Sequence, residues 1–194
     1  MPQGATADVH ADADADILTP VRALREWADT DPTALAIVAD NWTMTARELW
    51  DTSRRLAAWF EHAGAPAEIA LGMTVPRRWA PAFLLAGLIR GGVTAQVAAG
   101  APVGPGQPVE RLVTREIRDG IDPRLQILFD EQASRALRDI DPELVTPARY
   151  RSEELARLSY SSGTTKAPKA IRRTAGTIEA RVAARTLGGL ADGR

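Results

Sequence analysis

Near its carboxyl end the sequence runs from a mainly apolar stretch straight into a polar loop. Leu155–Tyr160 reads LARLSY and predicts a strand, and Tyr160–Lys169 reads YSSGTTKAPK. Hydroxyl groups, a glycine and two lysines supply the donors, the unhindered backbone and the positive charge that a phosphate group requires. In α/β proteins a loop that follows a strand lies at the carboxyl edge of the sheet, where ligands bind. The pattern therefore predicts an α/β fold with a phosphate site at that edge.

The residues predicted to contact phosphate share a donor group or an open backbone. They are Ser161, Ser162, Gly163, Thr164, Thr165, Lys166 and Lys169. The chain has 24 basic residues, of which the two lysines are both in this loop and the remainder are arginines. This favours a chemical need for an ammonium group. From the residues alone a plain Ser/Thr/Gly/Pro loop remains the alternative, and the Walker pattern G-x-x-x-x-G-K-[ST] does not occur.

Strands and helices are predicted to alternate along the rest of the chain. The predicted strands are 35–39 (buried), 42–44, 68–73, 93–98, 125–129, 143–145 and 155–160. The first predicted helix is capped by Thr19 and has Val21, Leu24 and Trp27 on one face. The second follows a Thr45–Glu48 capping box and stops at Gly64. The remaining predicted helices are 79–89, 109–119, 131–139 and 177–187. The five tryptophans are expected in the core. This alternation predicts an α/β fold with a layered, mainly parallel sheet flanked by helices.

Composition and charge exclude several function classes. The 194 residues carry a formal net charge of −1, so no overall field favours nucleic acid or an anionic membrane. No cysteine occurs, which excludes disulfides, zinc–thiolate sites and thiol nucleophiles; no metal-ligand cluster is apparent, and no metal site is predicted. The longest apolar run, residues 79–89, is shorter than the roughly 20 residues that span a bilayer, so no transmembrane segment and a cytoplasmic location are expected. Residues 1–16 are expected to be a disordered tail, and 17–194 one partial domain.

Other polar residues are predicted to be structural. His62 is expected at a helix end rather than at a catalytic site. Glu153 and Glu154 are expected to be solvated, since adjacent side chains point apart. Arg172 and Arg173 are expected to lie on a solvated strand, with a phosphate contact as the less favoured alternative.

The loop resembles the signature of the adenylate-forming superfamily of acyl-CoA synthetases, luciferases and peptide-synthetase adenylation domains, [YT]-[ST]-S-G-[ST]-T-G-x-P-K-G. It departs from this signature at Lys166 and Ala170, where the family usually has glycine, and Ala175 stands where many members have histidine. Residues 31–64 and 79–98 also resemble family segments. The matching loop residues are Tyr160, Ser161, Ser162, Gly163, Thr164, Thr165, Pro168 and Lys169.

The resemblance implies a fold, a reaction and roles for these residues. The fold would be an incomplete, amino-terminal part of the adenylate-forming large domain. The reaction would join ATP and a small-molecule carboxylic acid into an acyl-adenylate, after which CoA or a carrier thiol commonly takes the acyl group. The loop would hold the β- and γ-phosphates with Mg²⁺. Thr164 and Thr165 would donate hydrogen bonds, and Lys169 would offset developing negative charge.

The resemblance also sets limits on what this chain is expected to do. Family members carry further adenosine-binding and catalytic groups after the loop, so the chain is expected to be inactive alone and to need a complementary carboxy-terminal chain. The alternative is a non-catalytic remnant or interaction module that pairs with another chain. A phosphate-binding ATPase is less favoured, because no Walker-type acid is apparent. The acyl substrate, the acceptor thiol and the oligomeric state are not defined by the sequence.

Overall fold

The computed structural model of the chain describes residues 17–39, 41–97, 101–160 and 168–191, with side chains as far as residue 185. The described helices are α1 (Thr19–Thr30), α2 (Ala46–His62), α3 (Ala80–Ile89), α4 (Glu131–Ala136) and α5 (Ala175–Ala191). The described strands are β1 (Leu35–Ala39), β2 (Trp42–Thr45), β3 (Leu71–Thr74), β4 (Thr94–Gln96), β5 (Arg111–Thr114), β6 (Gln126–Leu128), β7 (Leu155–Tyr160) and β8 (Ala170–Thr174).

Six of the described strands form one sheet in the order β6-β5-β3-β4-β7-β8. Strands β3 to β7 pair in parallel, and β8 pairs antiparallel with β7. Parallel neighbours need a crossover connection, which α3 provides between β3 and β4. The strands β1 and β2 form a separate antiparallel hairpin. The predicted α/β fold with a mainly parallel sheet is therefore confirmed.

One hydrophobic core joins helices α1, α2 and α3 to the sheet. At its centre are Phe60 on α2, Phe83 on α3 and Phe129 after β6, all fully buried. The ring centroids of Phe60 and Phe83 are 5.5 Å apart, and those of Phe83 and Phe129 are 5.0 Å apart at 86°. This edge-to-face geometry is a favoured arrangement of aromatic rings. We call these three residues the aromatic centre.

The two helices of the aromatic centre are positioned by local features. The predicted capping box starts α2: Thr45 Oγ1 accepts from the Glu48 amide at 3.2 Å, and the Thr45 amide donates to the Glu48 carboxylate at 2.8 Å. Helix α3 approaches β4 closely at Gly87, where a Cβ would lie 2.5 Å from Thr94 Oγ1 and 2.9 Å from Thr94 Cβ. Glycine is therefore required sterically at this contact.

The helix predicted at 109–119 is wrong. The chain there forms strand β5, which pairs with β3 on one side and β6 on the other. Leu112 and Val113 are both buried, at 1% and 0% exposure. A central parallel strand is buried on both faces, so its apolar residues do not alternate, and a short run of this kind resembles a helix in spacing.

The strand predicted at 143–145 is also wrong. Pro142–Leu144 form a 3-10 turn, and the Asp141 side chain accepts from the Glu143 amide at 2.9 Å. An aspartate before a proline favours such a turn over a strand, because the side chain satisfies a free amide and proline donates none.

Thr19 is not the cap of α1. It is the first helical residue, and the cap position is Leu18, which makes no side-chain hydrogen bond. The Thr19 amide and hydroxyl instead donate to the Glu179 carboxylate, both at 2.6 Å. A carboxylate distant in sequence, on α5, therefore accepts hydrogen bonds from the free donors at the start of α1. A local sequence pattern does not reveal this contact.

Three predicted apolar placements are only partly correct. The buried residues of α1 are Val21, Leu24 and Ala28, whereas Trp27, which was predicted on this face, is 40% exposed. The expectation of five core tryptophans is therefore wrong for Trp27, whereas Trp50 is 3% exposed. Strand β1 forms where predicted but is not buried, with Val38 at 70% exposure. No helix in the described ranges is long and apolar enough to cross a membrane.

Candidate functional site

The two ends of the predicted phosphate loop lie at the carboxyl edge of the sheet. Strand β7 ends at Tyr160, β8 begins at Ala170, and these two residues pair across the strands. Of the predicted site residues, Lys169 is described by the structure. The others lie outside the described residues: Ser161, Ser162, Gly163, Thr164, Thr165 and Lys166.

The backbone at the second end of the loop accommodates this sequence. Ala170, which replaces the usual glycine of the signature, lies in extended strand β8. No described non-glycine residue has a positive φ, so Ala170 is not in the left-handed region that would strain it. Alanine is therefore compatible with this strand position, and the neighbouring Lys169 is exposed.

A cleft of about 390 Å³ opens beside this edge. It lies where β4 and β7 end and is lined by Gln96 and Val97 from the first and by residues 157–160 from the second. The chain order reverses here, because β4 lies on one side of β3 and the next strand, β5, on the other. Open α/β sheets bind ligands at such a reversal, outside the carboxyl ends of the strands.

Polar residues of β7 line the cleft, and Arg173 of β8 contacts one of them. Arg173 Nε donates to Ser159 Oγ at 3.1 Å, which ties the two strands together. The Tyr160 hydroxyl is buried and has no hydrogen-bond partner among the described residues. Burial raises the pKa of Tyr160, so it is a neutral phenol with a proton to donate. The Thr74 hydroxyl, at the carboxyl end of β3, is buried in the same unpaired way within the described part of the chain.

The charge near the cleft is positive. Burial, with smaller contributions from Arg173 and Arg181, lowers the pKa of Arg157 below its ordinary value. None of the residues that line the cleft is acidic. In the described ranges no group of three or more His, Asp or Glu residues is placed to hold a metal ion. The described lining of the cleft therefore suits an anion.

Sequence reasoning missed Arg157 and Ser159 as cleft residues. The available signal was an arginine within a mainly apolar predicted strand. The strand predicted for Arg172 and Arg173 is confirmed as β8, with Arg172 exposed.

The other polar residues are placed as predicted. His62 is the exposed last residue of α2, and its Nδ1 contacts the Ala58 carbonyl at 2.9 Å. Glu153 and Glu154 are both exposed.

Two curated proteins resemble the chain in sequence. FR901469 synthetase of a Dothideomycetidae species is 32% identical over 161 residues, which are 74% of this chain and 1% of that protein. The nonribosomal peptide synthetase easA of Emericella nidulans is 29% identical over 174 residues, which are 80% of this chain and 2% of that protein. The chain thus spans a very small part of these relatives. No protein-family model matches it.

Solved structures of adenylate-forming enzymes share the fold. VinN in complex with 3-methylaspartate has a TM-score of 0.64 at 18% identity, covering 87% of this chain and 51% of VinN. The o-succinylbenzoate CoA synthetase of Bacillus subtilis, in complex with the acyl-adenylate intermediate OSB-AMP, has a TM-score of 0.65 at 17% identity, covering 88% of this chain and 46% of that one. The chain spans about half the length of these structures.

The mainly parallel sheet with its flanking helices matches the fold of the adenylate-forming ligases. In sequence the chain is similar to nonribosomal peptide synthetases, and its fold is that of the adenylate-forming ligases. It corresponds to the amino-terminal part of the large domain of these enzymes.

Proposed function

We propose that the β7–β8 edge, defined as Tyr160–Ala170 with the adjoining cleft, binds the phosphates of ATP in an acid-activating reaction. The observation that carries this proposal is the pairing of Tyr160 with Ala170, which brings both ends of the signature loop to the carboxyl edge of the sheet. The exposed Lys169 and the absence of acids from the cleft lining support an anionic ligand. The fold shared with an enzyme solved with an acyl-adenylate supports a nucleotide.

The residues of the loop would divide the work of binding phosphate. Thr164 and Thr165 donate hydroxyl hydrogen bonds, while Ser161, Ser162 and Gly163 offer further donors and an unhindered backbone. Lys166 and Lys169 supply positive charge. Charge-assisted hydrogen bonds of this kind are about twice as strong as neutral ones. Lys169 is therefore expected to contribute most among the residues whose position is described.

In the proposed reaction a carboxylate oxygen of the acid attacks the α-phosphorus of ATP. A new carboxylate oxygen–phosphorus bond forms, and the bond from the α-phosphorus to the oxygen bridging to the β-phosphorus breaks. Pyrophosphate leaves with the electron pair and the negative charge. Loop donors stabilise that developing charge. Mg²⁺ accompanying the nucleotide would supply further charge neutralisation. A thiol, from CoA or a carrier, would then attack the acyl carbon and form a thioester, while the bond from that carbon to the AMP oxygen breaks, AMP leaves with the electron pair, and the thiol proton passes to solvent.

The substrate in this proposal is a small carboxylic acid. VinN is solved with 3-methylaspartate and the Bacillus subtilis enzyme with the adenylate of o-succinylbenzoate, and both ligands come from small acids. We also propose that adenylate formation needs groups from a complementary chain, since this chain spans only about half the length of the adenylate-forming enzymes that share its fold.

Calorimetric titration of the chain with pyrophosphate tests the phosphate site. Lys169→Gln is expected to weaken binding at least tenfold, since a charge-assisted hydrogen bond contributes about 1.5–3 kcal/mol. Arg138→Gln removes the same charge from an exposed residue on the 3-10 turn Leu137–Asp139, and it serves as the matched control. Equal losses from the two variants, or no pyrophosphate binding by the unmodified chain, would contradict the phosphate site.

A separate assay tests acid activation. The chain is incubated with ATP, Mg²⁺ and a panel of carboxylic acids, and any acyl-adenylate is trapped with hydroxylamine. We expect no hydroxamate from this chain alone. Hydroxamate formation would refute the need for a complementary chain while leaving the phosphate site intact.

A further inference from the structure

A second cavity, of about 410 Å³, lies between α3, α5 and the β7–β8 strands. Its apolar wall includes Leu84, Leu85 and Leu88, which are close together on α3 because residues three and four apart share a helix face. Ile178 on α5 lines it from the other helix. One side of the cavity is therefore suited to an apolar ligand.

Four arginines from three elements also line this cavity, which we call the arginine groove. Arg157 comes from β7, Arg173 from β8, and Arg181 and Arg185 from successive turns of α5. Among the described residues none of the four takes part in an ion pair. The carboxylate of Glu179, also on α5, is hydrogen-bonded to the start of α1.

This concentration of positive charge is not balanced within the described part of the chain. Arg157 Nε is buried and has no hydrogen-bond partner among the described residues. Burial and the charges of Arg173 and Arg181 disfavour its protonated form and lower its pKa. An anion between these guanidinium groups would both satisfy the buried donor and reduce the mutual repulsion.

From the leucine wall and the four guanidinium groups, we propose that the arginine groove binds a single-chain amphiphile whose head group is a carboxylate or a phosphate monoester. The alkyl chain packs on the α3 leucines, and the head group contacts the arginines. The volume lies within the range of about 300–1,000 Å³ that small-molecule sites occupy. A docked helix fits the groove less well, because it would have to pack along α3, which has ten residues and is only about 15 Å long.

The test is titration with dodecyl phosphate below its micelle concentration, followed by calorimetry. The double variant Arg181→Gln/Arg185→Gln is expected to weaken binding at least tenfold, and both residues are exposed, so the fold is retained. The control Arg138→Gln/Arg151→Gln removes the same charge from exposed residues that do not line the groove and is expected to bind as the unmodified chain does. Equal losses from both double variants would overturn the proposal.

Further ligands test whether binding needs both the apolar wall and the arginines. Inorganic phosphate and dodecyltrimethylammonium are each expected to bind at least tenfold more weakly than dodecyl phosphate. If inorganic phosphate bound as tightly as dodecyl phosphate, the groove would be an anion site alone. If dodecyltrimethylammonium bound as tightly, it would be an apolar patch alone. Lys169→Gln is expected to leave dodecyl phosphate binding unchanged, and a loss there would move the ligand to the phosphate loop. Failure of dodecyl phosphate to bind, together with binding of an acidic helical peptide that needs Arg181, would assign the groove to a protein partner instead.

Discussion

The aromatic centre and the β7–β8 edge belong to the same fold but differ in the polarity and burial of their side chains. Phe60, Phe83 and Phe129 are fully buried, and the Phe83 ring packs against the other two rings. At the edge, Lys169 is exposed and the Tyr160 hydroxyl has no described partner. Unpaired polar groups cost stability when they are buried and are retained where a ligand satisfies them. Stability is therefore expected to depend mostly on the helix-covered centre, and the proposed binding chemistry lies at the strand ends.

Truncating the aromatic centre should have the largest effect on stability. Phe83→Ala is expected to lower the free energy of unfolding by about 3–5 kcal/mol, because it removes a buried ring and leaves a cavity. The control is Ile171→Ala on β8, where Ile171 is 42% exposed and the expected change is within about 0.5 kcal/mol. Urea unfolding measures both. Similar losses from the two variants would remove the contrast between centre and edge.

The close contact between α3 and β4 should be the next most sensitive point. Gly87→Ala places a methyl group against the buried Thr94 side chain and is expected to cost about 1–3 kcal/mol through overpacking. Adding Thr94→Ala should recover part of the loss, since it removes the closest atoms. If urea unfolding shows no loss in Gly87→Ala, the steric requirement for this glycine is wrong.

The capping box of α2 should contribute less than either packing contact. Thr45→Ala removes the acceptor for the Glu48 amide and is expected to cost about 0.5–2 kcal/mol. Thr45→Ser retains the hydroxyl and is the matched control, with a change expected to be smaller. Thermal unfolding compares the two. A Thr45→Ala loss as large as that of Phe83→Ala would show that local capping, and not the aromatic centre, dominates stability.

The smallest expected effect concerns pH. The Arg54 guanidinium donates to the Glu143 carboxylate, with Arg54 Nη2 lying 3.0 Å from Glu143 Oε2. This contact lowers the pKa of Glu143 below its ordinary value of 4.5. Because folding lowers this pKa, the ion pair stabilises the protein above about pH 4.5, and its contribution is lost as the pH falls through the lowered pKa. The Glu143 side chain is 75% exposed, so the contribution is at most about 1 kcal/mol after solvent screening.

The pH effect is measured by urea unfolding between pH 3 and 7. Glu143→Gln is expected to make stability less dependent on pH in the acid range. A variant with the same acid dependence as the unmodified chain would rule out this carboxylate as a contributor.

Features set by neighbouring residues could be predicted from the sequence. The Thr45–Glu48 box and strand β7 depend on local hydrogen bonds and local apolar pattern, and both are confirmed. The start of α1 depends on Glu179, which is 160 positions from Thr19, so no local pattern indicates it. The sequence of strand β5 predicts a helix, because the burial that makes it a strand comes from two partner strands.

The candidate site likewise has features that the sequence predicts and features that depend on the whole fold. The loop residues and the position of the loop after β7 follow from the sequence. No sequence pattern indicates that Arg157 and Arg173 lie near α5 and share a groove with Arg181. That proximity results from the antiparallel pairing of β7 with β8 and from the packing of α5, which are properties of the whole fold.

An NMR titration of the ¹⁵N-labelled chain with pyrophosphate would locate the bound anion residue by residue. A phosphate site at the β7–β8 edge predicts that the largest chemical-shift changes occur at the amides of Tyr160, Lys169 and Ala170, and that the amides of Phe60 and Phe83 remain unchanged. Changes centred on the arginine groove or on the aromatic centre, with the three edge amides unaffected, would contradict a phosphate site at this edge.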